Sequence, residues 1–162
     1  MTLRPDIPYP PSRTRPPAMH LPDPETQPDF YAGVPSKRLV AWFIDTVLIA
    51  GLVLIALPFT AFTGLFFMPF LFLSLSLAYR FVTIAGSSAT WGMRFTGIEL
   101  RDQSGARLDS SAAFLHCLGY IVSVSVPVLQ LASIVMMLTS SRGQGLTDSL
   151  LGTTALNRRA HF

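Results

Sequence analysis

Charged residues are scarce in this sequence. Only 13% of its 162 residues are Asp, Glu, Lys or Arg, whereas 50% are apolar. Charged residues make up about a quarter of a typical soluble domain, so this shortage argues against a soluble fold. Long charge-poor runs are typical of integral membrane proteins, and the lipid bilayer is therefore the first predicted partner. The 12 Lys and Arg residues are spread along the chain rather than clustered, which argues against nucleic-acid binding.

The sequence also lacks the motifs that carry most enzymatic chemistry. It has no phosphate-binding glycine loop, no HExxH or CxxC motif, and no convincing Ser/His/Asp arrangement. The single cysteine, Cys117, cannot form an intrachain disulfide. Its neighbour His116 would not face it, because adjacent residues of a helix point in different directions. We therefore predict a protein that is not an enzyme and that has neither a cofactor nor a metal site.

The first 35 residues are rich in proline. They hold ten of the thirteen prolines, together with scattered charges of both signs. A segment of this composition buries too little apolar surface to fold alone. We predict that residues 1–35 form a disordered, polyproline-like cytoplasmic tail.

Three apolar stretches follow, at residues 37–57, 65–82 and 112–138. Stretches of this length predict membrane-spanning helices. The fold class expected from them is an all-α membrane protein, a small bundle of three apolar helical stretches. The membrane domain is predicted at residues 36–157, with a short tail at residues 158–162.

The third stretch leaves two topologies open. Pro127 lies near its middle, where a proline removes a backbone hydrogen bond and kinks or breaks a helix. A single crossing would carry the C-terminus to the far side of the membrane, whereas a re-entrant or shallow hairpin would return it. The basic residues Arg142, Arg158 and Arg159 favour the return, because cytoplasmic segments carry an excess of Lys and Arg.

Residues 86–111 form a polar insertion between the second and third stretches. Residues 94–101 alternate partly in polarity, Asp102 to Gly105 is a turn signal, and residues 106–109 are suited to a returning strand. The pattern predicts a small, irregular β-hairpin at the cytoplasmic surface.

Asp45 is the first residue that needs an explanation, because it lies inside the first apolar stretch. A carboxylate at the centre of a spanning helix costs roughly 2.5–3.5 kcal/mol on insertion scales. Arg38 shares its helix face but lies about 10 Å away along the axis, at about 1.5 Å per residue, so we do not expect the two to pair. The partner is expected from another segment, with Arg80 and then Arg94 as candidates. His116 could join this polar site, but a lone histidine near a helix end is more often an interfacial residue, and we favour that interpretation.

The predicted orientation follows from the basic residues. Lys37 and Arg38 open the first stretch, and Arg94, Arg101 and Arg107 lie in the polar insertion. By the positive-inside bias, these segments and the N-terminus are expected in the cytoplasm.

Three motifs between the apolar runs resemble those of the RDD family of bacterial membrane proteins. They are KRLVAWFID at residues 37–45, SATWGMR at 88–94 with GIEL at 97–100, and QGLTDSLLGT at 144–153. The resemblance covers residues 31–156 and leaves out the proline-rich tail. It implies that Arg38, Asp45 and Asp148 are the arginine and two aspartates that give the family its name, and that the setting is a bacterial inner membrane. Trp91 and Arg94 depart from the proline and lysine that are common in the family.

The resemblance also implies a function, which the residues themselves leave open. Transport, including sodium/proton antiport, has been proposed for the family, and Arg38, Asp45 and Asp148 would then exchange an ion or proton near the cytoplasmic interface. The alternative is a scaffold or accessory subunit in which the same residues form a structural lock. Two or three spans cannot enclose a pathway, so transport would require a homo-oligomer or a partner membrane protein.

Overall fold

The computed structural model describes residues 20–158. The predictions made for residues 1–19 and 159–162 lie outside this range. Within it the chain forms six helices and two strands, in the order α1 (Val34–Phe59), α2 (Met68–Ser87), α3 (Trp91–Phe95), β1 (Ile98–Arg101), α4 (Ser110–Ser125), α5 (Pro127–Thr139), α6 (Leu146–Leu151) and β2 (Thr154–Asn157). Short 3₁₀ turns lie at Pro28–Phe30 and Thr63–Leu65.

Helices α1 and α2 are long and apolar enough to cross a membrane. At about 1.5 Å per residue, their 26 and 20 residues span about 39 and 30 Å, enough for a hydrocarbon core of about 30 Å. Only a narrow stripe of α1 is buried, consisting of Val34, Ala41, Asp45, Ile49, Val53 and Leu57. The remaining faces expose large apolar side chains, as a lipid-facing helix does. The predicted all-α membrane protein is therefore confirmed. Helix α1 extends beyond both predicted bounds, whereas α2 begins at Met68 rather than at residue 65 and ends at Ser87 rather than at residue 82.

The third apolar stretch is broken at the predicted place. Helix α4 ends at Ser125, Val126 is extended, and Pro127 opens α5, where its missing N–H is not needed. The axes of the two helices are bent by 115° relative to each other.

A two-stranded antiparallel sheet joins distant parts of the chain. Strand β1 pairs with β2, with Ile98 opposite Asn157 and Arg101 opposite Thr154. The predicted local hairpin is therefore wrong in its second strand, because residues 106–109 do not pair with β1. Instead, Asp102 Oδ1 accepts the N–H groups of Ser104 and Ala106 at 2.9 Å each and turns the chain toward the core.

The sheet also settles how the third stretch runs. Strand β1 follows the end of α2, and Asn157 of β2 accepts a hydrogen bond from Lys37 at the start of α1, with Nζ to Oδ1 at 2.7 Å. The chain therefore enters α4 and leaves α5 at the same end of the bundle. The hairpin topology is the one that the fold adopts.

The described residues before α1 make specific contacts with the rest of the fold. Tyr31 is buried and donates its hydroxyl to the Pro22 carbonyl at 2.6 Å. Asn157 Nδ2 donates to the carbonyls of Asp29 and Ala32 at 2.8 and 2.9 Å. The predicted disordered tail of residues 1–35 thus reaches too far, because Asp29 and Ala32 are hydrogen-bonded to Asn157 of β2 and Val34 already begins α1.

The core lies at this same end of the bundle, beneath the sheet. Its members come from α1, α2, both strands, α4 and the loop that precedes α4. They are Val34, Ile84, Ile98, Leu100, Leu108, Ala113, Cys117 and Ala155.

Candidate functional site

Asp45 is almost completely buried, with 1% of its surface exposed, and its carboxylate has a full set of partners. Oδ1 accepts hydrogen bonds from the Tyr79 hydroxyl at 2.7 Å and the Gly92 N–H at 2.9 Å. Oδ2 accepts from the Thr90 hydroxyl at 2.6 Å and lies 3.5 Å from a terminal nitrogen of Arg80. Helix α1 is thereby joined to α2 and α3 through a single side chain.

The short helix α3 and its N-cap residue supply two of the hydrogen bonds to Asp45. Thr90 caps it, because its Oγ1 accepts the Met93 N–H at 3.2 Å while its own hydroxyl hydrogen goes to Asp45. Gly92 brings the α3 backbone against α1, since a Cβ at this position would lie 2.2 Å from the Ala41 carbonyl oxygen. Without a side chain at Gly92, the N–H group reaches the carboxylate directly.

Arg80 links Asp45 to the re-entrant hairpin. Its guanidinium carbon lies 4.3 Å from the centroid of the Tyr120 ring on α4, a cation–π arrangement. The Tyr120 hydroxyl accepts from Trp42 Nε1 at 2.8 Å, so α1 and α4 also meet here. Arg80 therefore contacts Asp45, as the sequence suggested it should.

Asp148 forms a second polar cluster with residues of three other segments. Its Oδ2 is ion-paired and hydrogen-bonded to Arg38 and accepts the Gly145 N–H at 3.0 Å. Its Oδ1 accepts the Thr153 hydroxyl at 3.1 Å and lies 3.7 Å from His116 Nδ1. Burial raises the pKa of Asp148, but the Arg38 charge and hydrogen bond, with His116 and the Gly145 N–H, outweigh it and hold the pKa below its ordinary value.

His116 belongs to this second cluster. It is buried, and its Nδ1 lies 3.3 Å from the Thr153 hydroxyl. Of the two interpretations of His116, the structure supports the one that includes it in the polar site, because the segment containing Thr153 folds back over α4. Thr153 lies 37 residues after His116 in the sequence.

Arg38, Asp45 and Asp148 thus lie in two clusters, one around each carboxylate. No ion pair joins Arg38 to Asp45 in residues 20–158, as their seven-residue spacing predicted. Both clusters nevertheless border one cavity of about 670 Å³. Other residues that line it are Leu39, Trp42, Met93, His116, Tyr120, Ser123, Gln130, Ser133, Ile134, Met137 and Leu138.

Arg94 lies outside both clusters. Its Nε donates to Ser87 Oγ at 3.1 Å, and its guanidinium carbon lies 5.2 Å from the Trp91 ring. Arg94 is exposed and makes no ion pair with Asp45 in the described part of the chain, because Arg80 and three hydrogen-bond donors already occupy the carboxylate.

The donor and acceptor inventory limits the chemistry of the two clusters. Both carboxylates are saturated by protein donors, and residues 20–158 contain no group of three or more His, Cys, Asp or Glu placed to hold a metal ion. The N–H donors of Arg38 and Arg80 are paired less completely. The buried Nε atoms of Arg38 and Arg80 have no hydrogen-bond partner among the described residues.

Sequence reasoning missed several residues of these clusters. Tyr79, Thr90 and Gly92 hold Asp45, and Tyr120 and Thr153 support the arginine and aspartate side chains. Thr90 carries a readable signal, since threonine is one of the residues preferred at a helix N-cap.

Comparison with known proteins agrees with the motifs. The model of the RDD family matches residues 32–152, which is about three quarters of the chain. No curated protein and no solved structure matches the sequence. The matched range contains the arginine and both aspartates together with every helix from α1 to α6. The chain belongs to the RDD family.

Proposed function

We propose that this protein is a membrane scaffold or accessory subunit in which Arg38, Asp45 and Asp148 form a structural lock. One observation carries the proposal: each charged pair joins α1 to a different element. Arg38 binds Asp148 of α6, and Asp45 binds Arg80 of α2 and the N-terminus of α3. The two pairs fix α6, α2 and α3 against the first span.

The saturation of the carboxylates supports a lock over an exchange site. A carboxylate that binds a cargo ion needs oxygen lone pairs that are free or readily released. Asp45 accepts three hydrogen bonds and also pairs with Arg80. Asp148 accepts three hydrogen bonds, one of which comes from its ion-pair partner Arg38. Opening either cluster would leave buried polar groups unpaired, which is costly.

The proposal includes a setting and partners. A bacterial inner membrane, with the N-terminus in the cytoplasm, agrees with the basic residues at the start of α1 and in the loop after α2. The extensive exposed apolar surface fits lipid together with a second copy or another membrane protein. The function proposed is not enzymatic and does not involve nucleic acid.

A transport component is the second candidate, and the shared cavity favours it. Both ion pairs border this cavity with His116, so a proton has several acceptors within one space. Two crossing helices and one re-entrant hairpin do not enclose a pathway, so transport would need an oligomer or a partner chain.

Asp45→Asn separates the two candidates. Asparagine keeps part of the hydrogen bonding but removes the charge opposite Arg80, so the lock predicts a loss of about 1.5–3 kcal/mol of unfolding free energy. The stability is measured by denaturation in mixed micelles, and proton and sodium flux is measured in proteoliposomes. Glu25→Gln, at an exposed acid, is the matched control.

The lock predicts no flux above that of empty vesicles for the parent protein and a less stable Asp45→Asn variant. If the parent protein carries flux and a stably inserted Asp45→Asn variant does not, the scaffold proposal is wrong and the transport component is the function supported.

A further inference from the structure

Two helices that are far apart in the sequence, α1 and α5, both line the shared cavity. Helix α1 supplies Leu39 and Trp42, and α5 supplies Ile134 and Leu138. Helix α5 packs mainly on α4 and α6, and every one of its residues keeps some exposure. The apolar gap therefore lies between the first span and the re-entrant hairpin, where an acyl chain from the surrounding membrane has room to enter.

The polar end of the cavity carries two guanidinium groups. The Arg38 and Arg80 side chains are 10% and 8% exposed, and both line the cavity. Their aspartate partners engage terminal nitrogens, which leaves both buried Nε–H groups without an acceptor. Unpaired donors of this kind are rare in folded proteins and need an explanation.

We propose that the cavity binds an amphiphile with one apolar chain in the gap and a carboxylate or phosphate head at Arg38 and Arg80. Its volume of about 670 Å³ lies within the range of about 300–1,000 Å³ that is usual for small-molecule sites. Such sites are mostly apolar with a few well-placed polar groups, as this one is. Guanidinium groups are suited to carboxylate and phosphate oxygens because of their several N–H donors in one plane.

The assignment goes beyond the structural lock, because it concerns the space that the locked elements surround. The lock supplies the charge balance: Asp45 and Asp148 offset the two arginines, so the head is bound by hydrogen bonds from N–H groups that the aspartates leave free. His116 also faces this space and sets the charge there when it is protonated.

Trp42 allows binding to be observed directly. It lines the cavity, and the only other tryptophan in the sequence, Trp91, lies on α3 and does not. In Trp91→Phe protein in detergent, brominated stearic acid in the cavity will quench the Trp42 fluorescence in a saturable manner. Brominated phosphatidylglycerol is the second probe, and brominated stearyl alcohol and phosphatidylcholine are the probes without a net anionic head.

Two kinds of variant test the two ends of the site in the Trp91→Phe background. Arg80→Lys keeps the positive charge opposite Asp45 but removes the guanidinium donors, and is expected to weaken binding of the acidic probe about tenfold. Ile134→Phe with Leu138→Phe narrows the apolar gap and is expected to weaken all binding by a similar factor. Val128→Phe with Leu131→Phe, at exposed positions of α5 away from the cavity, is the matched control and should bind as the parent does. Unfolding midpoints confirm that each variant is folded.

The outcomes are distinct. Saturable quenching by brominated stearic acid alone would identify the ligand as a free single-chain acid. Saturable quenching by brominated phosphatidylglycerol would identify it as an acidic membrane lipid. Either result, with the losses expected for the arginine and gap variants, supports the site. Equal quenching by acid and alcohol, or quenching unchanged when the gap is filled, overturns it. The lock itself would be unaffected, because its test is stability.

Discussion

Replacing Arg38 with alanine is expected to destabilise the protein by about 3–5 kcal/mol, the usual cost of removing one partner from a buried ion pair. Asp148 is 3% exposed, so it would keep a buried charge with no cation in hydrogen-bond contact. The Gly145 N–H and the Thr153 hydroxyl would remain as its donors. The measurement is the unfolding free energy in mixed micelles, together with the steady-state abundance in membranes.

The double variant Arg38→Gln with Asp148→Asn supplies the rescue. It replaces the charged pair by a neutral hydrogen-bonded pair and should recover more than half of the loss, since removing both charges of a buried pair is often nearly neutral. Arg94→Ala is the control for losing a cation at an exposed position, where about 0–1 kcal/mol is expected. If Arg38→Ala lowers the unfolding free energy no more than Arg94→Ala does, the Arg38–Asp148 pair does not stabilise the fold.

Gly92→Ala is expected to cost about 3 kcal/mol, the upper end of the range for overpacked positions. The added Cβ would lie 2.2 Å from the backbone oxygen of Ala41 and 2.8 Å from Asp45 Oδ1. Because the closest atom belongs to the α1 backbone, no side-chain rotation relieves the contact. Helix α3 must move away, and the hydrogen bond from the Gly92 N–H to Asp45 is lost with it. The same denaturation assay measures the effect.

Gly51→Ala and Gly86→Ala are matched controls for this substitution. Both glycines lie within long helices, and a Cβ at either would meet nothing within 4 Å. Alanine should be neutral or stabilising there by about 0.5–1 kcal/mol, because it favours the helix. If Gly92→Ala behaved like these two, the close contact of α3 with α1 would not be needed for the fold.

The first span could be predicted well from the sequence, and so could the need of Asp45 for a partner. Both depend on local composition and on the cost of a carboxylate in an apolar helix. The residues that contact Asp45 could be predicted only in part from the sequence. Arg80 and Arg94 were both candidates, and only the fold shows that Arg80 is the one beside Asp45. Tyr79 and Gly92 act through contacts that depend on the placement of α3.

Long-range pairing accounts for most of the remaining differences. Strand β1 has a partner more than 50 residues away, and β2 is four residues long, so no local pattern connects them. The turn at Asp102 satisfies its backbone groups by itself and made a local hairpin plausible. The place of His116 beside Asp148 was hard to predict for the same reason, because Thr153 and Asp148 follow the α4–α5 hairpin in the sequence.

The most direct test of the lock is the side of the membrane on which each terminus lies. Reporter fusions before Met1 and after Phe162 in native membranes, one active only in the cytoplasm and one only outside it, give this result. The lock predicts that both termini lie on the same side, because α5 returns the chain to the end of the bundle at which α1 begins. Termini on opposite sides would place Asp148 across the bilayer from Arg38, and would contradict the lock.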